Sequence, residues 1–277
     1  MRNRQFEDWI FVTAAFGEKN FDDAAERLIQ QIQGFRIFSA YKKVGLADID
    51  SAELKNLSGV SQEGFEALPG YAYYAWKPLI ADMFFKGKFG SYKGIFFLDA
   101  GCEAYPNPFN RRQLKIMMRS AERTGALLFS SAVMEKLVTK RELLDRFPKQ
   151  FQDSEQLATG SWLLFDTMGM RLANKWLEIT ALPDALAPST SADLDGFIGH
   201  RYEQSTFSLA AKTLGFTPSR LWREYPPSGR GLFFTATRGA LFPFLWSRNR
   251  TGQPTIALAP CFLFGARRKR LHSTVGK

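Results

Sequence analysis

Residues 9–16, WIFVTAAF, form an apolar run of strand length that stops at Gly17. Asn20 then suits a helix N-cap, with Asp22 and Asp23 in the first turn, where negative charge favours the dipole. Ala24, Leu28, Ile29 and Ile32 follow at helical spacing, and Gly34 closes the helix. Residues 35–41, FRIFSAY, predict a second strand. This is a β-α-β opening, right-handed by default.

Residues 42–70 are less regular and predict short helices. YAYYAW, residues 71–76, leads into a helix starting near Pro78. GIFFL, residues 94–98, is apolar throughout, as a strand covered on both faces should be. Asn110 predicts the cap of a helix reaching Arg123, and GALLFS, residues 125–130, is strand-like. Residues 139–147 read as a charged amphipathic helix. GSWLLF, residues 160–165, predicts another buried strand, followed by a helix carrying Met168, Leu172, Trp176 and Ile179. A loop over 183–197 precedes a helix over 200–214. Alternating strands and helices predict an α/β fold with a mostly parallel sheet flanked by helices. Beyond Gly215 the pattern decays into short pieces rich in Pro, Gly, Phe and Arg. The expected division is therefore a domain over 1–215 and a basic extension over 216–277.

Charge sharpens that division. The net charge is +10 over 277 residues, but residues 201–277 hold 13 Lys/Arg against two Glu. The first 200 residues are close to neutral. Such a chain is a globular module with one basic end rather than a surface coated for nucleic acid. No RNA- or DNA-binding motif accompanies the charge, so a nucleic-acid partner is not expected. Two distant cysteines, Cys102 and Cys261, exclude a disulfide scaffold and a structural zinc site. The N-terminus does not read as a secretory signal, and no stretch reaches 18 apolar residues. The expected location is cytoplasmic. Arg267, Arg268, Lys269 and Arg270, beside large apolar residues, suit the anionic surface of the inner membrane.

Three segments carry candidate chemistry. In GIFFLDAGCE, Asp99 stands at the end of a buried strand, where open α/β sheets bind ligands. Asp99 and Glu103 flank Gly101 on one turn, and hard oxygen ligands of this kind suit Mg²⁺ or Mn²⁺; Asp is equally a good turn residue. In GHRYEQSTFSLAAKTLG, His200, Glu203 and Gln204 share one helix face that continues through Phe207, Ala211 and Leu214. The plainer reading is a half-exposed helix start with an acid favouring the dipole. In YAYYAWKPL, Tyr71, Tyr73, Tyr74 and Trp76 could stack on a base or sugar, with Lys77 reaching a phosphate; aromatic core is the plainer reading.

The ordered set resembles the GT-A group of nucleotide-sugar glycosyltransferases, in particular bacterial enzymes of surface polysaccharide synthesis. It runs from Thr13 in the first strand through GYAYYAWKP, FLDAGCE and LATGSWLLFDT to HRYEQSTFSL. The resemblance implies a Rossmann-type GT-A fold and transfer of a sugar from a nucleotide-diphosphate donor to a saccharide or lipid-linked acceptor. It implies donor binding by Thr13, Trp76, Lys77, Asp99 and Gly101, and catalysis by Glu203 and Gln204, which match an Asp-Gln pair facing the donor sugar. It also implies a divalent cation, manganese or magnesium, held by Asp99 with Glu103 and His200. His272 is the other histidine that could complete that site. Gly101 stands where the family's Asp-x-Asp motif has its second acid. That departure motivates one rival, a non-catalytic nucleotide-sugar-binding relative. Net charge alone motivates the other, a nucleic-acid-binding protein.

Overall fold

The computed structural model describes residues 6–17, 19–60, 62–190, 194–219, 244–245 and 250. The elements, in chain order, begin with β1 (Trp9–Ala14), α1 (Lys19–Gln33), β2 (Ala40–Val44), α2 (Ser51–Ser58), the short turn α3 (Gly70–Tyr73) and α4 (Trp76–Phe85). Then come β3 (Gly94–Leu98), β4 (Glu103–Ala104), α5 (Pro108–Thr124), β5 (Ala126–Met134) and the one-turn helices α6 (Glu135–Val138) and α7 (Arg141–Leu144). The last are β6 (Glu155–Phe165), α8 (Asp166–Thr180), α9 (Tyr202–Thr213) and β7 (Phe244–Leu245).

Five strands form one sheet in the order β2-β1-β3-β6-β5. β1 pairs in parallel with both β2 and β3, while β6 is antiparallel to both of its neighbours. Four of the five strands therefore point the same way and β6 alone is reversed. Alternation explains why the central strands read as unbroken apolar runs. Ile10, Val12, Ile95, Phe97, Trp162 and Leu164 face one core, with residues of α4, α8 and α9. Trp9, Phe11, Phe96, Leu98 and Leu163 face the other, with residues of α1 and α5. Each face buries its own side chains, so neither face needs a polar row.

Several boundaries differ from the sequence expectation, each for a tertiary reason. The second strand is Ala40–Val44, not residues 35–41. Phe35 and Phe38 are buried against the second core, and pairing starts only where Ala40 meets Ile10. β2 is an edge strand, and its lysines are tied down: Lys42 to Asp48 at 2.6 Å, Lys43 to Glu26 at 2.9 Å. The cap of α5 is Asn107, whose Oδ1 accepts from the Asn110 N–H at 2.8 Å, with Pro108 opening the helix. The helix expected over 139–147 is broken instead. Thr139 is extended and its buried hydroxyl donates to Glu135 Oε2 at 2.6 Å. Lys140 donates to the carbonyls of Asp184 and Ala187.

Part of the basic segment joins the body. β7 pairs antiparallel with β4, and Phe244 packs on Phe96 and Phe129. Arg267 to Arg270 and His272 lie outside the described residues. Among the described residues, no helix is long and apolar enough to cross a membrane.

Candidate active site

The carboxyl ends of β1 and β3 open into a cavity of about 940 Å³. Ala14, Asp99, Ala100 and Gly101 line it from those strand ends, Thr159 and Gly160 from the reversed β6, and Arg201 to Gln204 from the start of α9. The turn after β3 is fixed from two sides. The Asp99 N–H donates to Gly160 O at 2.9 Å. Arg27, on the buried face of α1, donates from Nη2 to the carbonyls of Ala100 at 3.0 Å and Cys102 at 2.8 Å. Arg27 was missed by the sequence reading. Its signal was a guanidinium three residues after Ala24, on the stripe that also carries Leu28 and Ile32.

At the floor sits the Lys77 ammonium, on the first turn of α4 and buried. It lies 2.9 Å from Asp99 Oδ1, 3.1 Å from Asp99 Oδ2 and 3.3 Å from Glu203 Oε1. Burial alone would lower its pKa, but the two carboxylates more than offset this and hold it above the ordinary lysine value. Glu203 is buried as well and accepts from Thr159 Oγ1 at 2.8 Å. Burial pushes its carboxyl up to about 7, against the opposing pull of Lys77 and Thr159. A cleft carboxyl shifted in this way is a candidate for proton transfer.

Gln204 is oriented rather than loose. Its Nε2 donates to Gln156 Oε1 at 2.7 Å, and Gln156 Nε2 in turn reaches Glu135, Thr139 and Ser205. Trp176, on α8, donates to the Glu203 carbonyl at 3.2 Å and so pins the start of α9. Part of the aromatic cluster lines the cavity. Trp76 stacks on Phe16 at 4.6 Å, and Tyr71 and Tyr74 line the cavity with them. Lys77 Nζ lies 5.1 Å from the Tyr74 ring centre and 5.5 Å from that of Trp76. Tyr73 instead packs against Tyr202 at 4.8 Å. Ser131 Oγ, buried on the cavity wall, has no hydrogen-bond partner among the described residues. A buried hydroxyl in that state is a group that a ligand would satisfy.

This wall has an unusual backbone. Residues 70–74 all have φ between 55° and 60°, although only Gly70 is a glycine. Non-glycine residues held there store strain and cluster at ligand sites. Gly70 also receives the Trp76 Nε1–H on its carbonyl at 3.0 Å. A Cβ on Gly70 would meet the Tyr74 ring at 2.0 Å. Gly70→Ala should therefore lower the melting temperature, because the Tyr74 ring has to move. A thermal melt of the variant that matches the parent would contradict this packing.

Lys77, Asp99, Gly101, Trp76, Glu203, Gln204 and His200 all line the one cavity. Thr13 and Glu103 do not. Thr13 is buried one residue before the cavity, and Ala14 lines it instead. Glu103 is buried on β4, where Tyr105 donates to it at 3.1 Å. The expected cation set of Asp99, Glu103 and His200 does not converge. Among the described residues, no three His, Cys, Asp or Glu side chains come together as a metal site. His200 lines the cavity but its ring is engaged: Nε2 meets Ala185 O at 2.8 Å, and Nδ1 faces the Lys140 N–H at 3.4 Å. A neutral ring protonated on Nε2 satisfies these contacts, and Nδ1 also lies 3.4 Å from Ser205 Oγ. Among the described residues, Asp99, Glu103 and His200 therefore do not form one cation site.

No protein-family model matches the chain, and no curated protein does. Solved structures do. Mouse xyloside xylosyltransferase 1, in its apo form, superposes over 89% of this chain and 99% of its own with a TM-score of 0.50 at 12% identity. The fold is glycosyltransferase-like. A glycosyltransferase involved in glycosylating the major capsid of PBCV-1 aligns over 63% of this chain and 67% of its own, with a TM-score of 0.37 at 11% identity.

Proposed function

We propose that the protein is a glycosyltransferase that uses a nucleotide-sugar donor. The observation that carries this reading is Lys77 bridging Asp99 and Glu203 at the floor of a cavity at the sheet's carboxyl edge. The shared fold supports it. The aromatic wall of Phe16, Tyr71, Tyr74 and Trp76 suits a base or sugar face, and the cavity has the volume of a small-ligand site.

In the reaction, the bond from the anomeric carbon to the diphosphate oxygen breaks, and negative charge grows on the leaving phosphate. A buried ammonium such as Lys77 stabilises that charge with little reorganisation. The sugar becomes oxocarbenium-like as the bond opens. Glu203 stabilises it or takes the proton of the attacking acceptor hydroxyl. Gln204, fixed through Gln156, positions the sugar. The acceptor class we propose is a saccharide or a lipid-linked saccharide, in surface polysaccharide synthesis. A peripheral membrane role for the basic tail belongs to the same proposal.

A thermal-shift panel of UDP, GDP, CMP and dTDP sugars tests the donor reading, because a ligand bound only by the folded state must raise its stability. At least one should raise the melting temperature in a concentration-dependent way. No shift with any of them at millimolar concentration would contradict it.

A further inference from the structure

Resting on that reading, we infer that the cavity holds the donor's diphosphate without a divalent cation, using Arg201 and Arg250 beside Lys77. Three observations lead there. The first is the state of the acids and the histidine. Asp99 has both oxygens on the Lys77 ammonium, Glu103 is buried with Tyr105, Gly101 offers no side chain, and His200 has both nitrogens engaged. Asp99 in this arrangement orients an ammonium, and the cation position beside it is filled by Nζ.

The second is the charge around the cavity. Arg201, just before α9, and Arg250 both line it. Arg250 returns from the basic segment and lies over the Phe21 ring of α1, 5.1 Å from its centre. Cation–π contact at this distance fixes a guanidinium without consuming its donors. Burial raises the pKa of the Tyr74 hydroxyl, while the charges of Lys77 and Arg250 both act against that rise. Arg250, Phe21 and Tyr74 line the same cavity. The third is chemistry. Planar guanidinium groups bind phosphate oxygens through paired hydrogen bonds, which an ammonium paired with Asp99 cannot supply alone. Besides Lys77, which Asp99 and Glu203 engage, the arginines lining the cavity among the described residues are Arg201 and Arg250, against Glu66 and Glu203.

This predicts a reversal of the usual effect of removing the strand-end acid. If Asp99 held a metal, Asp99→Asn would abolish diphosphate binding. If Asp99 only orients Lys77, the same change removes a negative charge beside the diphosphate and frees the ammonium. Isothermal titration with UDP, GDP, dTDP and CDP, in excess EDTA and again with Mn²⁺, distinguishes these. One nucleoside diphosphate should bind with equal affinity in both buffers. Arg250→Ala should weaken it by about tenfold, the scale of one charged hydrogen bond. Asp99→Asn should bind as tightly as the parent or more so. Binding that requires Mn²⁺, or that is lost in Asp99→Asn while the variant melts normally, overturns this inference and leaves the glycosyltransferase reading standing. Binding that ignores Arg250→Ala overturns the role of Arg250. No binding of any nucleoside diphosphate in either buffer overturns this inference, and no thermal shift with any nucleotide sugar, CMP sugars included, overturns the donor reading as well.

Discussion

Glu203→Gln is expected to lower turnover at least about a hundredfold, the lower end of what a positioned acid–base group contributes. The change keeps the volume and the hydrogen bond from Thr159 but removes the negative charge. Donor affinity should change far less, because the loss falls on the transition state. The pH dependence should change with it. The Glu203 carboxyl titrates at about 7 in the folded protein, above the ordinary value of 4.5. Between those two values the native state holds a proton that the unfolded chain has lost. Stability should therefore fall as pH rises through that window, while activity requiring the carboxylate should rise through pH 7. Glu203→Gln should flatten this part of the stability curve and remove that limb of the rate profile. Urea melts from pH 4.5 to 8 and a pH–rate series check both. A variant with near-normal turnover and an unchanged pH profile would leave Glu203 as a helix-start acid.

The second large effect is expected at Lys77. Lys77→Met deletes the ammonium between two acids, one of them buried. Removing one partner of a buried ion pair typically costs about 3–5 kcal/mol where the remaining charge stays unpaired, which for Glu203 requires a pH well above 7, since below that the carboxyl takes up a proton. Asp99 is 36% exposed and can regain water, so the larger share should come from Glu203. The double variant Lys77→Met/Glu203→Gln should then recover much of the lost stability, since a neutral amide needs no counter-charge. It should not recover turnover. Denaturant midpoints of the two single variants and the double give the coupling directly. Equal additive losses would mean that Lys77 and Glu203 do not act as a pair.

Much of the frame was legible because alternation and helical spacing are local signals. GIFFL is β3 with the bounds read from the sequence, and the run over 9–16 contains β1. The helix from Met168 to Ile179 is likewise α8. Failures fell where distant contacts override local pattern. Thr139 and Lys140 look like helix residues, yet each bonds to a partner far along the chain, and the helix splits. The reversal of β6 was not legible either, since a strand covered on both faces reads the same in either direction.

The site divides in the same way. Lys77, Asp99, Glu203 and Gln204 could be chosen because a charged or amide group at a strand end or on an apolar helix face is visible in sequence. That Lys77 would bridge Asp99 and Glu203 depends on α4, β3 and α9 meeting. Thr13 and Glu103 looked equivalent to their neighbours, but a one-residue step along a strand or turn carries a side chain away from the cavity. Arg201 and Arg250 were counted only as basic residues, and nothing local separates them from the other arginines of that segment.

The most direct test of the account is release of free nucleoside diphosphate, or nucleotide for the CMP donor, from a panel of nucleotide sugars. It is followed by mass spectrometry with water as the default acceptor. The parent protein should release it from at least one donor, and Glu203→Gln should do so at about one hundredth of that rate or less. A protein that binds a nucleotide sugar tightly but never breaks its sugar–phosphate bond, with or without saccharide acceptors, would contradict the catalytic claim and leave a binding protein in its place.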